Sequence, residues 1–176
     1  MFHRSRNLFL RPAWPEDKEA LLNAVGITQP LESAVSSWPH RRADAIAFAG
    51  DEVDAMHPAL VIVHPGPHGQ KVIGGIALRQ DECGRTRMGC WIGKDHRRKG
   101  HATEAAGAML NMAKMLGHSS VAFLHYHDDA ASGGLLAKLG FEATGAIASP
   151  GGALSGQQSA TLYEMNLATG RVARAA

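Results

Sequence analysis

The chain has 176 residues, a length that suits one domain with a real core. Hydrophobic residues make up 45%, and 20 glycines with 8 prolines stay below the low-complexity range, which argues against a disordered or fibrous chain. A net charge of +2, from 18 Lys and Arg against 16 Asp and Glu, makes no global case for nucleic acid, so an anion site has to come from local charge placement.

Residues 8–12 read as a short strand ending at Pro12. Ala20, Leu21, Ala24 and Val25 follow with helical spacing, and Gly26 is a stop signal. Residues 27–41 hold Pro30 and Pro39 and read as irregular, with a short helix over 42–49. The β-branched run 59–64, the segment 71–80 and the segment 87–93 are three strands, separated by turns at 65–69 and 81–84. Short turns between consecutive strands predict an antiparallel meander.

The period then changes. From Ala102, apolar residues at Ala105, Ala106, Met109, Leu110, Ala113 and Leu116 predict a four-turn helix ending at Gly117. A strand over 120–126 follows, then a helix over 129–139 with Leu135, Leu136 and Leu139 inward, Asp128 as N-cap and Gly140 at its end. The strand–helix–strand order predicts parallel pairing of 87–93 with 120–126. Residues 141–144 and 160–167 are the last strands, around a Gly- and Ser-rich loop, and the last residues form a frayed tail. The expected fold is one α/β domain with a mixed, mostly antiparallel sheet of six or seven strands flanked by helices.

Cys83 and Cys90 are too few to staple such a domain and form no CxxC pair, so they read as free thiols in a reducing cytoplasm. The N-terminus lacks the apolar core of a signal peptide, and no run approaches the ~18 apolar residues of a membrane span. The expectation is a cytoplasmic protein with no membrane partner and no direct nucleic-acid partner.

The most informative segment is Lys94-Asp95-His96-Arg97-Arg98-Lys99-Gly100-His101-Ala102-Thr103-Glu104, at a strand-to-helix junction. Basic side chains gather where a helix start offers unpaired N–H groups, which favours an anion. Gly100 allows close backbone approach, and Ala102 is too small to shield the donors. The segment is neither a GxxxxGK[ST] loop nor a GxGxxG fingerprint. His125-x-His127-Asp128 places two imidazoles on one strand face. That arrangement is open to a cleft role or the start of a metal site, and no metal is expected. His64 and His68 flank a proline turn and are expected to be structural.

Arg97-Arg98-Lys99-Gly100-His101-Ala102 resembles the phosphate loop of GNAT-superfamily N-acetyltransferases, which reads Arg/Gln-x-x-Gly-x-Gly/Ala. Thr103-Glu104-Ala105 and the upstream Gly89-Cys90-Trp91-Ile92 resemble the branch that acetylates ribosomal-protein N-termini, with Cys90 in place of Tyr. Asp129-Ala130-Ala131-Ser132 and Lys138-Leu139-Gly140-Phe141 resemble that branch's second block, with Asp129 in place of Asn. The resemblance spans roughly 8–167 and is specific at 89–105 and 129–141.

It implies that strands 87–93 and 120–126 splay apart and that acetyl-CoA, as cosubstrate, lies in the opening with its pyrophosphate on 97–102. The cofactor-binding residues implied are Trp91, Ile92, Arg97, Arg98, Lys99, Gly100, His101, Ala102, Thr103, Asp129, Ser132 and Lys138. Ser132 matches the family residue at the sulfur end, where it would protonate the departing thiolate or polarise a water that does. A Tyr acid used by other branches would fall at Leu136, so that mechanism is absent. Many relatives carry a Glu base at the position of Arg87; Asp81, Glu82, Glu164, His125 and a water-mediated base stay open. The activity implied is acetyl transfer to a primary amine, a protein N-terminus or a small amine, with the acceptor side built from 13–60 and 142–160. The alternative is a non-catalytic acyl-CoA-binding module of the same fold. A homodimer is compatible with either reading.

Overall fold

The computed structural model describes residues 1–25, 54–67, 69–126, 130–148 and 160–168. The irregular segment 27–41, the helix expected over 42–49, the stop at Gly26, the N-cap Asp128 and the candidate residues His68, His127 and Asp129 lie outside the described residues, as does the loop before 160. The elements are β1 (His3–Arg4), β2 (Phe9–Arg11), α1 (Asp17–Val25), β3 (Ala59–Gly66), β4 (Gly69–Gln80), β5 (Thr86–Ile92), a 3-10 turn (Lys94–His96), α2 (His101–Met115), β6 (Ser120–Tyr126), α3 (Ala130–Leu139), β7 (Glu142–Ala148) and β8 (Ala160–Asn166).

The strands form one eight-stranded sheet in the order β1-β2-β3-β4-β5-β6-β8-β7. Seven are the expected ones. The eighth, β1, is a two-residue strand paired with β2 and carries too little pattern to be read from sequence. All pairings are antiparallel except β5 with β6. The 65–69 turn is tighter than expected. Gly66 pairs with Gly69, so the strands run past Pro65 and leave only residues 67 and 68 between them.

Alternation along the strands sends side chains to two cores. Leu60, Ile62, Ile76, Leu78, Met88 and Ile92 pack under α2 and α3, while Val61, Val63, Val72, Ala77 and Trp91 pack under Leu21 of α1. The apolar stripe of α2 is buried as its spacing predicts, except that Leu116 caps the helix half-buried. Gly117 and Gly140 both adopt positive φ at helix ends. His118 N donates to Ala113 O, and Phe141 N donates to Leu136 O, closing two Schellman caps. Among the described residues no helix is long and apolar enough to cross a membrane.

The parallel pair is where the sheet opens. β4 pairs with β5 along all of β5, and β6 pairs with β8 along all of β6. Between β5 and β6 the single register pair is Arg87 with Ala122. Beyond it the two strands part, leaving unpaired edges that face each other. Because they are parallel, α2 and α3 both start at that open end.

Candidate active site

β5 is held rigidly up to the opening. In β3 and β4 the register shifts from Ile62–Gly74 to Val63–Val72, so Ile73 is the extra residue of a bulge. The Ile73 carbonyl accepts a hydrogen bond from Gly93 N at 2.7 Å. A Cβ on Gly74 would lie 2.2 Å from the Trp91 carbonyl oxygen, and one on Gly93 would lie 2.8 Å from that of Ala24. Only glycine allows these backbones so close. The Gly74-Gly75 pair inside a strand pattern was the sequence signal for this bulge.

The loop after β5 then turns sharply. Arg97 Nε donates to Ile92 O at 2.9 Å, and Lys99 Nζ donates to Asp95 O at 2.9 Å, so both side chains brace the loop. Arg98 has φ 62, the only non-glycine positive φ among the described residues. Gly100 caps α2 at φ 83 in the left-handed region, and a Cβ there would meet nothing within 4 Å. Its conformation therefore demands glycine, whereas the space around it does not. Strained residues held at a helix start mark this loop as a constrained feature. Ala102 and Thr103 are half-buried in the first turn of α2.

His101, expected to serve the loop, is buried at 8% exposure, its ring edge-on to His64 at 5.1 Å between centroids. His64 is thus part of this junction, not merely of a turn. Burial pushes the His101 imidazole below its usual value, with the nearby His64 and Lys99 acting the same way and Glu104 opposing them. Glu104, also buried, accepts from Asn7 N at 2.6 Å, Ser5 Oγ at 2.7 Å and Asn7 Nδ2 at 3.0 Å. Burial acts to raise its carboxyl, but these bonds outweigh it and hold the group below the usual carboxylate range. Glu104 therefore fastens the N-terminal segment to α2.

Trp91 and Ile92 face opposite sides of the sheet. Ile92 lies under α2 and Trp91 under α1, where its Nε1 is buried with no hydrogen-bond partner. Cys90 packs on the α2 side, and burial pushes its thiol up to about 12, so it stays neutral. Ser132, the third residue of α3, is buried at 9% exposure. Lys138 is exposed in the last turn of the same helix. His125 lies near the open end of β6, against α3: its Nε2 would be 3.5 Å from a Cβ on Gly133, and its ring is edge-on to Tyr163 at 5.6 Å.

The carboxylates separate by position. Asp81 sits in the turn before β5, at the closed end, accepting from Cys83 N, Arg85 N and Arg85 Nε, and Glu82 shares that turn. Glu164 pairs with Ala122, level with Arg87, where β5 and β6 still meet. His125 is the only one of the four named base candidates at the open end. Among the described residues no group of three or more His, Cys, Asp or Glu side chains is arranged to hold a metal ion.

The acetyltransferase (GNAT) domain family matches residues 7–142 of the chain. No curated protein matches it significantly. Among solved structures, a GNAT-family acetyltransferase from Bacillus anthracis superposes with a TM-score of 0.75 at 17% identity, over 96% of this chain and 99% of its own. A candidate ribosomal-protein-serine acetyltransferase from Vibrio cholerae gives 0.73 at 17% identity, over 94% and 97%. The microcin C7 self-immunity acetyltransferase MccE, solved with acetyl-CoA and AMP, gives 0.72 at 17% identity, over 92% and 93%. At these identities the structures attest the fold, and the domain match, covering most of the sequence, attests the family: the chain belongs to the GNAT acetyltransferases.

Proposed function

We propose that the protein transfers an acetyl group from acetyl-CoA to a primary amine, either a protein N-terminus or a small amine. Family membership gives the reaction class; the observation that carries the residue-level reading is the parting of β5 from β6 beside the basic start of α2. The unpaired peptide groups of β5 beyond Arg87 suit an extended ligand carrying amides, since a free strand edge accepts such a chain. The loop 97–102 and the first N–H groups of α2 suit its pyrophosphate.

The acceptor nitrogen attacks the thioester carbonyl, the carbon–sulfur bond breaks, and the thiolate needs a proton. Ser132, at the start of α3, is the residue we assign to that proton, directly or through a water. Cys90 stays out of the chemistry because its thiol is neutral and far from ionising. We assign the proton that the amine loses to His125, whose place near the open end of β6, against α3, supports that reading. With Arg87 half-buried where relatives carry Glu, amines that are already partly neutral should react best. An α-amino group at about 7.7–8.0 meets that condition and a lysine at about 10.4 does not.

The experiment gives purified protein acetyl-CoA and two peptides and follows free-thiol release near neutral pH. One peptide has a free N-terminus and no lysine; the other is N-capped and contains lysine. Faster turnover of the first is expected. Faster turnover of the capped lysine peptide would overturn the acceptor assignment. Acetyl-CoA binding with no turnover of either, or of small amines, would favour the non-catalytic acyl-CoA-binding module.

A further inference from the structure

One row of residues crosses the face of the sheet opposite α2 and α3. Arg79 of β4 pairs with Arg87 of β5, Arg87 with Ala122 of β6, Ala122 with Glu164 of β8, and Glu164 with Glu142 of β7. Their chain neighbours Leu78, Met88, Val121, Met165 and Phe141 belong to the core under α2 and α3, so alternation sends the row to the other face. The row is sorted by sign: two arginines, a small residue, two glutamates. Like charges directly opposite on neighbouring strands cost stability, and this row holds two such pairs. Arg87 and Glu164 are half-buried, and among the described residues their side chains make no hydrogen bond and no ion pair.

The row stands at the apex of the opening, because Arg87 and Ala122 form the rung where β5 and β6 part. A cosubstrate anchored at the start of α2 reaches the opening from the face that α2 and α3 cover. The other face is left to the acceptor amine, and there the first charge beside the opening is Arg87. A Glu at this position would draw in an ammonium and repel a carboxylate. An Arg does the reverse, so it does more than remove a base.

We propose that Arg87 is a specificity-determining residue that selects an acceptor carrying a carboxylate close to its reacting amine. The proposal rests on the reading of the opening as the site of acetyl transfer. A guanidinium fork matches both oxygens of a carboxylate and binds them as a charge-assisted pair. Glu164 and Glu142 repel the same carboxylate from the β8 side and attract a positive amine. The sign order of the row therefore turns the acceptor, with its carboxylate over β5 and its amine toward β6, beside the opening. An acidic residue at a chain N-terminus and a small amino-acid derivative both carry this chemistry.

The test measures kcat/KM by free-thiol release from acetyl-CoA for two matched pairs of amines, all amidated and free of lysine. One pair is a short peptide beginning with Asp and its counterpart beginning with Asn; the other is the single-residue amides of Asp and Asn. The Asp member of at least one pair should react at least about tenfold better. Preference in the peptides alone assigns the carboxylate to a chain N-terminus, and preference in the single-residue amides assigns it to a small amine. Arg87→Gln should bring the two members within about threefold of each other, and Arg87→Lys, which keeps the charge without the fork, should retain part of the preference. The urea midpoint of Arg87→Gln should not fall, because the substitution relieves the repulsion from Arg79. Ratios below about tenfold in both pairs, a preference that survives Arg87→Gln, or turnover confined to the capped lysine peptide overturns the role of Arg87 while leaving acetyl transfer standing. A falling midpoint in both variants assigns Arg87 to the fold instead. No turnover of any amine overturns acetyl transfer and this assignment with it.

Discussion

At the scale of single residues, the site depends on conformations and approaches that few side chains permit. Gly74 is the sharpest case, because its missing Cβ is replaced by the Trp91 carbonyl of the neighbouring strand. Gly74→Ala should lower stability by about 2 kcal/mol or more, read from a urea midpoint, since β4 and β5 would have to separate. Gly100→Val should cost about 1–2 kcal/mol through its positive φ rather than through a clash, and Gly100→Asn, which tolerates that conformation, should lose less. Ser132→Ala tests the chemistry. If its hydroxyl serves only the departing thiolate, kcat should fall about 10²-fold while acetyl-CoA affinity changes little. A kcat near that of the unmodified protein would leave Ser132 as a helix-start contact.

At the scale of elements, two buried polar ties hold the opening's surroundings in place, Glu104 to Ser5 and Asn7 and Arg11 to Asp17. Arg11 of β2 meets the Asp17 carboxylate at the start of α1 through both terminal nitrogens, the longer contact being 2.8 Å, and its guanidinium stacks 3.7 Å over Trp14. This pair fixes α1, the helix that covers Trp91 and approaches Gly93. Asp17→Asn should destabilise by about 3 kcal/mol in chemical unfolding, because it leaves a buried guanidinium without its counter-charge. The loop before α2 is the other element under test. Reversing charge with Arg98→Glu and Lys99→Glu should weaken acetyl-CoA at least about tenfold, or about 1.4 kcal/mol, by calorimetry. Unchanged affinity would move the pyrophosphate off this loop.

At the scale of the whole molecule, the same ties predict acid sensitivity. For both Asp17 and Glu104, burial acts to raise the carboxyl, but hydrogen bonds from Arg11 and Trp14 N, or from Asn7 and Ser5, together with nearby positive charge, leave it lower than usual. A carboxyl depressed in the folded state contributes stability above its unfolded value and loses it as pH falls through the folded one. Stability should therefore hold at neutral pH and decline below about pH 4, read as a falling urea midpoint. Glu104→Gln should remove part of that decline. An unchanged slope would mean that the carboxyl is not depressed by the N-terminal segment.

Much of this protein is readable from local pattern, because local pattern reports local physics. The 3–4 spacing from Ala105 to Ala113, the stops at Gly117 and Gly140 and the meander strands depend on neighbours close in sequence, and they stand where that spacing put them. The basic run at 94–101 was equally plain, since charge and a helix start lie side by side in the chain. Contacts between distant segments carry no such signature. That Glu104 would hold Ser5 and Asn7, and that His64 would meet His101, became decidable only when the sheet was assembled. The opening itself divides the same way. The strand–helix–strand order required β5 and β6 to be parallel, whereas their parting after Arg87 and Ala122 is set by what each strand pairs with on its other side.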